Sequence, residues 1–335
     1  MKCLNKNSML IILILIIIAS FFISMGNGAV KMSPLKIINT LLYERDTSNF
    51  QIIWNVRLPR TIVALLVGIN LSLAGAILQG VMRNPLASPS IIGVSAGAGL
   101  TALIILIIFP NYYFLVPIGA FIGALLATLL IYFLAWNAGI MPTRLILAGV
   151  AVSSLFGAGN NALMTFYPDR VSGVISFMVG GLSAINWQDV RMIGPYTLVG
   201  VFLLFFLPNE LNILTLGDEV AKGLGINVEI SRFRFIILAS LLAGSAVSVV
   251  GLLGFVGLIV PHIARIIIGS DYKYLIPGTL LMGGSMLMIF DTIARTLFSP
   301  TEIPVGIIMS ILGAPFFLYL LRKRRGSHGT RSKRT

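Results

Sequence analysis

Long apolar stretches make up most of the chain, and charged residues separate them at only a few positions. Long apolar stretches without any charged residue are 7–30, 61–82, 145–168, 192–209, 274–290, 303–321 and the much longer run 84–143. Residues 171–188 are also uncharged, but they are rich in Gly and Ser and predict a loop with at most a short helix. A helix needs roughly 20 apolar residues to cross a bilayer core that is about 30 Å thick. The pattern therefore predicts a bundle of membrane-spanning helices.

Two apolar stretches are too long for one helix. Run 84–143 divides at the turn-forming residues 110–112, which gives two spans. Residues 235–270 carry almost no charge and form either one over-long helix or two spans broken near Gly251 and Gly254. The pattern alone therefore predicts nine or ten spans.

The distribution of basic residues favours ten spans. Lys2 and Lys6 precede the first span, and a basic run follows the last: Arg322, Lys323, Arg324, Arg325, Arg331, Lys333 and Arg334. Because Lys and Arg concentrate in cytoplasmic segments, we expect both termini in the cytoplasm, which requires an even number of spans. We predict one transmembrane domain, 1–325, and a basic cytoplasmic tail, 326–335.

The composition leads to the same class of protein. Of the 335 residues, 57% are apolar and only 10% are charged, against about 25% charged in soluble domains. A soluble enzyme is therefore excluded. The net charge of +13 would suit nucleic acid, but the predicted topology places 16 of the 24 Lys and Arg residues in the cytoplasm. The charge indicates orientation, and we expect no nucleic-acid partner.

The residue patterns of common catalytic and metal sites are missing from the chain. It has no G-x-x-x-x-G-K-[ST] loop, and it contains only two histidines and one cysteine. We expect no metal site, no cofactor and no enzymatic activity. Residues 93–97 match the hydrolase pattern G-x-S-x-G, but small residues at this spacing also favour close helix packing. An intramembrane enzyme with Ser95 as its nucleophile is the alternative.

Ionisable groups are scarce inside the predicted spans. The deepest carboxylate belongs to Asp291, one helical turn before Arg295, and an internal ion pair is its simpler interpretation. Secondary transporters need ionisable groups or broken helices near the bilayer midplane. We therefore expect a transport path whose energy comes from another subunit, with an ion-coupled secondary transporter as the alternative.

The chain also shows an internal similarity. Seven positions of segment 65–93 recur in segment 241–269 with a constant offset of 176. The copies begin at the second and seventh spans, so they would run in opposite directions across the membrane. This predicts an inverted repeat, which is common in transporters. A break near Gly251 conflicts with the repeat, because it places Pro261 inside the eighth span.

Three arginines lie on the side where the topology predicts few basic residues. Arg57 and Arg60 lie at the outer end of the second span, and Arg295 lies at the outer end of the ninth. They are either anchors that reach the membrane interface or contacts for an acidic partner outside. On the inner side, segment 214–226 predicts two short helices joined by a turn. Its apolar positions make it a candidate docking surface for a cytoplasmic partner.

Six ordered segments carry a resemblance to a known family. They are RLPRTIVALLVGINLSLAGAILQGVMRNPLASPSIIGVSAGAG, RLILAGVAVSS, LTLGDEVAKGLGI, GFVGLIVPHIAR, DTIARTLF and EIPVGIIMSILGAPFFLYLLRK. Over roughly residues 10–325, the chain resembles the FecCD-type permease subunits of bacterial ABC importers for iron-siderophores, haem and vitamin B12. The resemblance implies a multi-pass protein of the bacterial cytoplasmic membrane, with ten helices around a central path shared by two identical or paralogous permeases. It also implies two cytoplasmic ATPase subunits and an external substrate-binding protein.

The resemblance assigns roles to the residues that match its motifs. In the family, glutamates of the binding protein meet the arginines that correspond to Arg57, Arg60 and Arg295. The implied cytoplasmic gate consists of Asn84, Leu86, Pro142 and Thr143. The implied ATPase-coupling residues are Leu216, Gly217, Asp218, Glu219, Ala221, Gly223, Leu224 and Gly225. The small and polar residues that we expect along the path are Ser153, Ser154, Asn160 and Asn161.

Overall fold

The computed structural model describes residues 5–28, 30–136 and 141–329. Its long helices are α1 (Lys6–Gly26), α2 (Leu58–Val81), α3 (Val94–Ile108), α4 (Val116–Ala135), α5 (Pro142–Phe166), α6 (Trp187–Phe206), α7 (Val228–Val250), α8 (Val256–Ile268), α9 (Tyr272–Thr296) and α10 (Val305–Gly329). Lys2 and residues 330–335 of the predicted tail lie outside the described residues.

These helices match the predicted spans one to one. Among the described residues, seven helices are long and apolar enough to cross a membrane, and α3, α8 and the first part of α10 are shorter apolar helices. The turn predicted at 110–112 lies in a short 3₁₀ helix, Pro110–Leu115. The break predicted near Gly251 separates α7 from α8. The prediction of an all-α membrane protein with about ten helices is confirmed.

Helix α2 lies at the centre of the bundle. In its most apolar stretch 83% of the residues are buried, against 22% for α5 and for α6. The central position depends on small residues, because a Cβ added to Gly75 would lie only 1.8 Å from the carbonyl oxygen of Gly257 in α8. Such close backbone approach is typical of packed membrane helices.

Replacing Gly75 by alanine tests this packing. We expect Gly75→Ala to lower the free energy of unfolding by about 1–3 kcal/mol, because the added methyl group overpacks the contact with Gly257. Thermal unfolding in detergent would measure the change. The matched control is Gly194→Ala in α6, where an added Cβ meets no atom within 4 Å. Equal stability of the two variants would contradict the packing argument.

The two similar segments lie against each other, but their helix boundaries differ. The amide of Asn70 in α2 donates to the hydroxyl of Ser245 in α7 over 3.1 Å, so the two similar segments pack together. Beyond that, Gly75 lies within α2 whereas Gly251 ends α7, and Pro261 lies inside α8. The inverted orientation of the repeat stays a prediction.

The G-x-S-x-G segment forms a helix contact. Gly93 has a positive φ of 72° and precedes α3. A Cβ on Gly97 would lie 2.3 Å from the carbonyl oxygen of Gly123 in α4. The spacing of small residues therefore brings α3 and α4 together, which favours the packing interpretation over a nucleophilic Ser95.

Shorter helices lie at the two ends of the bundle. We call the end where α2 begins the arginine end, since it holds Arg57, Arg60 and Arg295. The short helices Pro34–Tyr43 and Ser48–Ile52 precede α2 there. We call the opposite end the Asp218 end, where Pro208–Thr215 and Asp218–Gly223 connect α6 to α7.

Candidate functional site

The centre of the arginine end is an ion-pair network around Arg60. Its Nε donates to Asp291 Oδ2 over 3.0 Å, and its Nη2 donates to Asp291 Oδ1 over 2.9 Å. Its Nη1 donates to Glu302 Oε2 over 2.8 Å. The guanidinium of α2 therefore binds a carboxylate of α9 and one from the segment that precedes α10.

The other two arginines extend this network to α1. Arg295 donates to the carbonyl oxygen of Ser24, and its Nε lies 4.0 Å from Asp291 Oδ2. The Ser24 hydroxyl is 2.8 Å from that of Thr61. Arg57 donates to the carbonyl oxygens of Met25 and Val30. The cluster thus ties the ends of three long helices together.

All three arginines are buried in the single subunit. Arg57, Arg60 and Arg295 are only 4%, 6% and 8% exposed, and Asp291 is 1% exposed. Within the single subunit the three arginines form an internal network, because acidic and carbonyl groups of the same chain bind the guanidinium groups. Glu302, with 39% side-chain exposure, is the member of the network that solvent reaches.

The ends of three helices meet through backbone hydrogen bonds. Gly181 N donates to Val250 O, Leu252 N to Phe177 O, and Gly306 N to Gly180 O, over 2.9–3.1 Å. These bonds satisfy backbone groups that the helix ends leave free, as a membrane environment requires. Gly251 has a positive φ of 76°, and an added Cβ would lie 2.2 Å from Phe177 O. The junction links α7 and α10 to the helix Ser172–Val179.

The Asp218 end is organised by one carboxylate between two arginines. Asp218 Oδ1 lies 3.0 Å from Arg83 Nη2 and 2.6 Å from Arg232 Nη2. Arg83 directly follows the end of α2 and has a positive φ of 49°, which a non-glycine residue rarely adopts. The short helix Asp218–Gly223 is thereby connected to α2 and to α7.

Exposed apolar side chains lie on and around the same short helix. Leu216 before it, Val220 within it and Leu224 directly after it are 62%, 47% and 58% exposed, and we call these three residues the apolar face. Ala221 is fully buried, and Gly225 adopts a positive φ of 81°. The other predicted coupling residues, Gly217, Glu219 and Gly223, are at least partly exposed. The two short helices and turn that the sequence predicts for this segment are present.

A further hydrogen bond fixes the base of this segment. Asp271, which caps α9, accepts from the Asn212 amide over 2.8 Å. The Asn212 hydrogen bond, followed by that from Lys273 N, lowers the pKa of Asp271. The ionised side chain therefore holds the helix Pro208–Thr215 against the start of α9.

The predicted gate residues lie in turns and at a helix start. Asn84 Oδ1 accepts from Leu86 N over 3.0 Å, which closes the turn after α2. Leu86 is half-buried. Pro142 begins α5 and Thr143 is exposed. Residues 137–140, which precede α5, lie outside the described residues.

The four predicted path residues separate onto two faces of α5. Ser154 and Asn161 are exposed, Ser153 is half-buried, and Asn160 is 6% exposed. A Cβ on Gly99 in α3 would lie 3.4 Å from Asn160 Nδ2. Successive residues of a helix point about 100° apart. Asn160 therefore faces its own subunit, while Ser154 and Asn161 share the exposed face, and the assignment of the four residues to the path stays a prediction.

Sequence reasoning missed several members of both networks. Glu302 lies in one of the six segments that resemble the family, but the resemblance implies no role for it. Arg83 and Arg232 contributed only to the prediction of which loops are cytoplasmic. Their charge could have identified all three residues. Each of them lies beside the end of a span, where a buried charged side chain needs a partner of opposite sign. Among the described residues, no group of three or more His, Cys, Asp or Glu is placed to hold a metal ion.

Three comparisons relate this architecture to known proteins. The Fe(3+)-citrate import system permease protein YfmE of Bacillus subtilis (strain 168) is 42% identical over 321 residues, which cover 95% of this chain and 96% of that protein. The hemin transport system permease protein HmuU of Yersinia pestis is 38% identical over 307 residues, covering 89% and 92%.

A solved structure has the same fold. It is described as an inward-facing conformation of a metal-chelate type ABC transporter, and it aligns with a TM-score of 0.85 and 30% sequence identity. The alignment covers 95% of this chain and 99% of that one. The model of the FecCD transport family matches residues 14–323. This chain therefore belongs to the FecCD transport family.

Proposed function

We propose that this chain is the membrane-spanning permease subunit of an ATP-driven bacterial importer. Its cargo is an iron-siderophore complex, with haem and cobalamin as related cargo classes, and an external binding protein delivers it. Two cytoplasmic ATPase subunits and a second permease, identical or paralogous, complete the assembly. Residues 1–325 form the transmembrane domain, and both termini, including the basic tail 326–335, lie in the cytoplasm.

One observation carries this proposal: α2 joins the two candidate partner surfaces. Arg60 lies in its first turn, inside the arginine network. Arg83 directly follows its last turn and binds Asp218 beside the exposed apolar face of Leu216, Val220 and Leu224. The helix between them is almost entirely buried. A displacement of the Asp218 segment by an ATPase would therefore act directly on α2.

Docking of the binding protein requires an exchange of partners at the arginine end. Arg60 already binds Asp291 and Glu302, and only Glu302 is substantially exposed. An incoming glutamate would replace Glu302 on Arg60 Nη1 and leave the buried pair with Asp291 intact. Contacts of this kind at the rim of an interface contribute about 1 kcal/mol each and mainly set orientation.

The exposed face of α5 supports a second permease subunit. Ser154 and Asn161 lie on it among strongly exposed apolar side chains such as Leu147 and Leu155. An exposed amide in a membrane span is unfavourable against lipid. A helix of a second subunit or a water-filled path would provide a favourable environment for both polar side chains. This face is therefore our proposed side of the shared path.

The coupling role of the apolar face can be tested with Val220. We expect Val220→Asp to weaken binding of the ATPase subunit about tenfold, because the substitution places an unpaired carboxylate in an apolar contact that binding buries. Titration of the ATPase onto the permease in nanodiscs would measure this. Lys222→Gln, on the exposed side of the same helix, should bind normally. Unchanged affinity of Val220→Asp would contradict the coupling assignment.

The energy source separates this proposal from an ion-coupled transporter. We expect uptake of ferric citrate or ferric hydroxamates by proteoliposomes with ATPase and binding protein to stop without ATP and to continue after a protonophore. Uptake that continues without ATP but stops after addition of the protonophore would favour an ion-coupled secondary transporter. Both cargo classes should be tested side by side, because the permease alone does not select between them.

A further inference from the structure

The segment between α1 and α2 forms an amphipathic helix on the outside of the bundle. In the helix Pro34–Tyr43, Ile37 and Thr40 are buried on the α1 side. The opposite stripe of Leu35, Ile38 and Leu42 is 70%, 41% and 58% exposed. Amphipathic helices with such a stripe lie along membrane interfaces.

A concave pocket of about 520 Å³ lies between α1 and the turn that leads into this helix, and Pro34 is the one helix residue that lines it. Its apolar wall is made by Ala19, Phe22 and Ile23 of α1. This wall continues the exposed apolar stripe of α1, on which Ile12 and Leu15 are 44% and 62% exposed. Because α1 spans the membrane, that stripe contacts acyl chains, and the pocket is the end of the same lipid-facing surface.

The rim of the pocket is polar and positively charged. Asn27, Lys31 and Ser33 line it, and no acidic residue does. Lys36 follows in the first turn of the helix and is exposed. Lysines at an interface attract anionic lipid headgroups. The combination of an apolar wall open to the bilayer and a cationic rim therefore matches a lipid that carries a negative charge.

We propose that this pocket binds one anionic phospholipid. Its acyl chain lies along Ala19, Phe22 and Ile23, and its phosphate interacts with Lys31. The site is independent of the transport cycle proposed above. It adjoins the arginine cluster, because Arg57 donates to Met25 O and Val30 O on either side of this turn. Bound lipid would therefore also stabilise the segment that surrounds Arg57.

Native mass spectrometry of the full chain with equimolar phosphatidylglycerol and phosphatidylcholine tests the site. We expect one retained phosphatidylglycerol per chain and a clear preference over phosphatidylcholine. Lys31→Gln with Lys36→Gln should lower the preference by at least about fivefold, the effect of roughly one interfacial charge. Arg45→Gln is the matched control, since it removes an exposed charge of the same segment away from the pocket.

A second variant tests the wall separately. Ala19→Trp should fill the pocket and reduce retention of both lipids. An unchanged preference in the double lysine variant would overturn the proposal, as would displacement of phosphatidylglycerol by millimolar inorganic phosphate. If Ala19→Trp instead shifts the chain from dimer to monomer and leaves lipid retention unchanged, a second copy covers the pocket, and the lipid proposal fails.

Discussion

Asp291→Ala is expected to lower the free energy of unfolding by about 3–5 kcal/mol, because it leaves the buried guanidinium of Arg60 without its main partner. Arg60 is 6% exposed and binds Asp291 through two hydrogen bonds. Glu302 stays in contact but is half-exposed and offers one bond. Unfolding in mixed detergent micelles would measure the loss. Asp46→Ala, an exposed aspartate of the same end, should change stability by less than about 0.5 kcal/mol.

The double variant Arg60→Leu with Asp291→Leu then separates structure from docking. Replacing both members of a buried pair by apolar residues is often neutral, so we expect most of the stability to return. If Arg60 also receives a carboxylate of the binding protein, uptake stays low although the fold is restored. Uptake that recovers together with stability would mean that Arg60 has a structural role only.

The helices of this fold could be predicted because each depends on local composition. Uncharged stretches give the spans, since a charged residue is costly in the hydrocarbon core. The division of 235–270 depended on counting basic residues, and the structure places an extended segment with a positive φ at Gly251 there. The short helices of segment 214–226 followed from alternating apolar residues and glycines. These features need no knowledge of distant contacts.

The contacts of the candidate site could not be predicted in the same way. Asp291 lies four residues before Arg295, and the sequence suggests that these two form a pair. The structure contains this pair, with Arg295 Nε 4.0 Å from Asp291 Oδ2. It also gives Asp291 a closer partner that the sequence does not indicate, because Arg60, 231 residues away, donates to both of its carboxylate oxygens. The choice depends on how α2 and α9 pack, which periodicity does not describe. The burial of the three arginines is invisible in the sequence for the same reason.

The position of each side chain around α5 explains why two neighbouring asparagines differ in exposure. Asn160 and Asn161 are neighbours in sequence and chemically identical, so composition assigns them the same role. Their side chains point about 100° apart, and only Asn161 is exposed. Asn160 lies on the same face of α5 as the buried residues Gly149 and Val152. A prediction of path residues from residue type alone therefore combines residues that lie on two different faces of α5.

Asp218→Asn is expected to reduce ATP-driven uptake by about 5–150-fold, the range of a coupling free energy of about 1–3 kcal/mol. The substitution keeps the shape of the side chain but removes the charge that binds Arg83 and Arg232. The cost in stability should be about 1–3 kcal/mol, because Asp218 and Arg83 are each 37% exposed whereas the side chain of Arg232, which loses a charged partner, is only 2% exposed. ATP hydrolysis and uptake, measured on the same proteoliposomes, would report the effect.

The matched control is Lys222→Gln, which removes an exposed charge from the same short helix at a position outside the predicted coupling set. The ATPase docks on the apolar face, which neither substitution alters, so hydrolysis should continue in both variants. Only Asp218→Asn disconnects the docked segment from α2, and only there should hydrolysis proceed with little uptake. Equal uptake by the two variants would show that force does not pass through Asp218. Parallel loss of hydrolysis and uptake would instead place Asp218 in the docking surface itself.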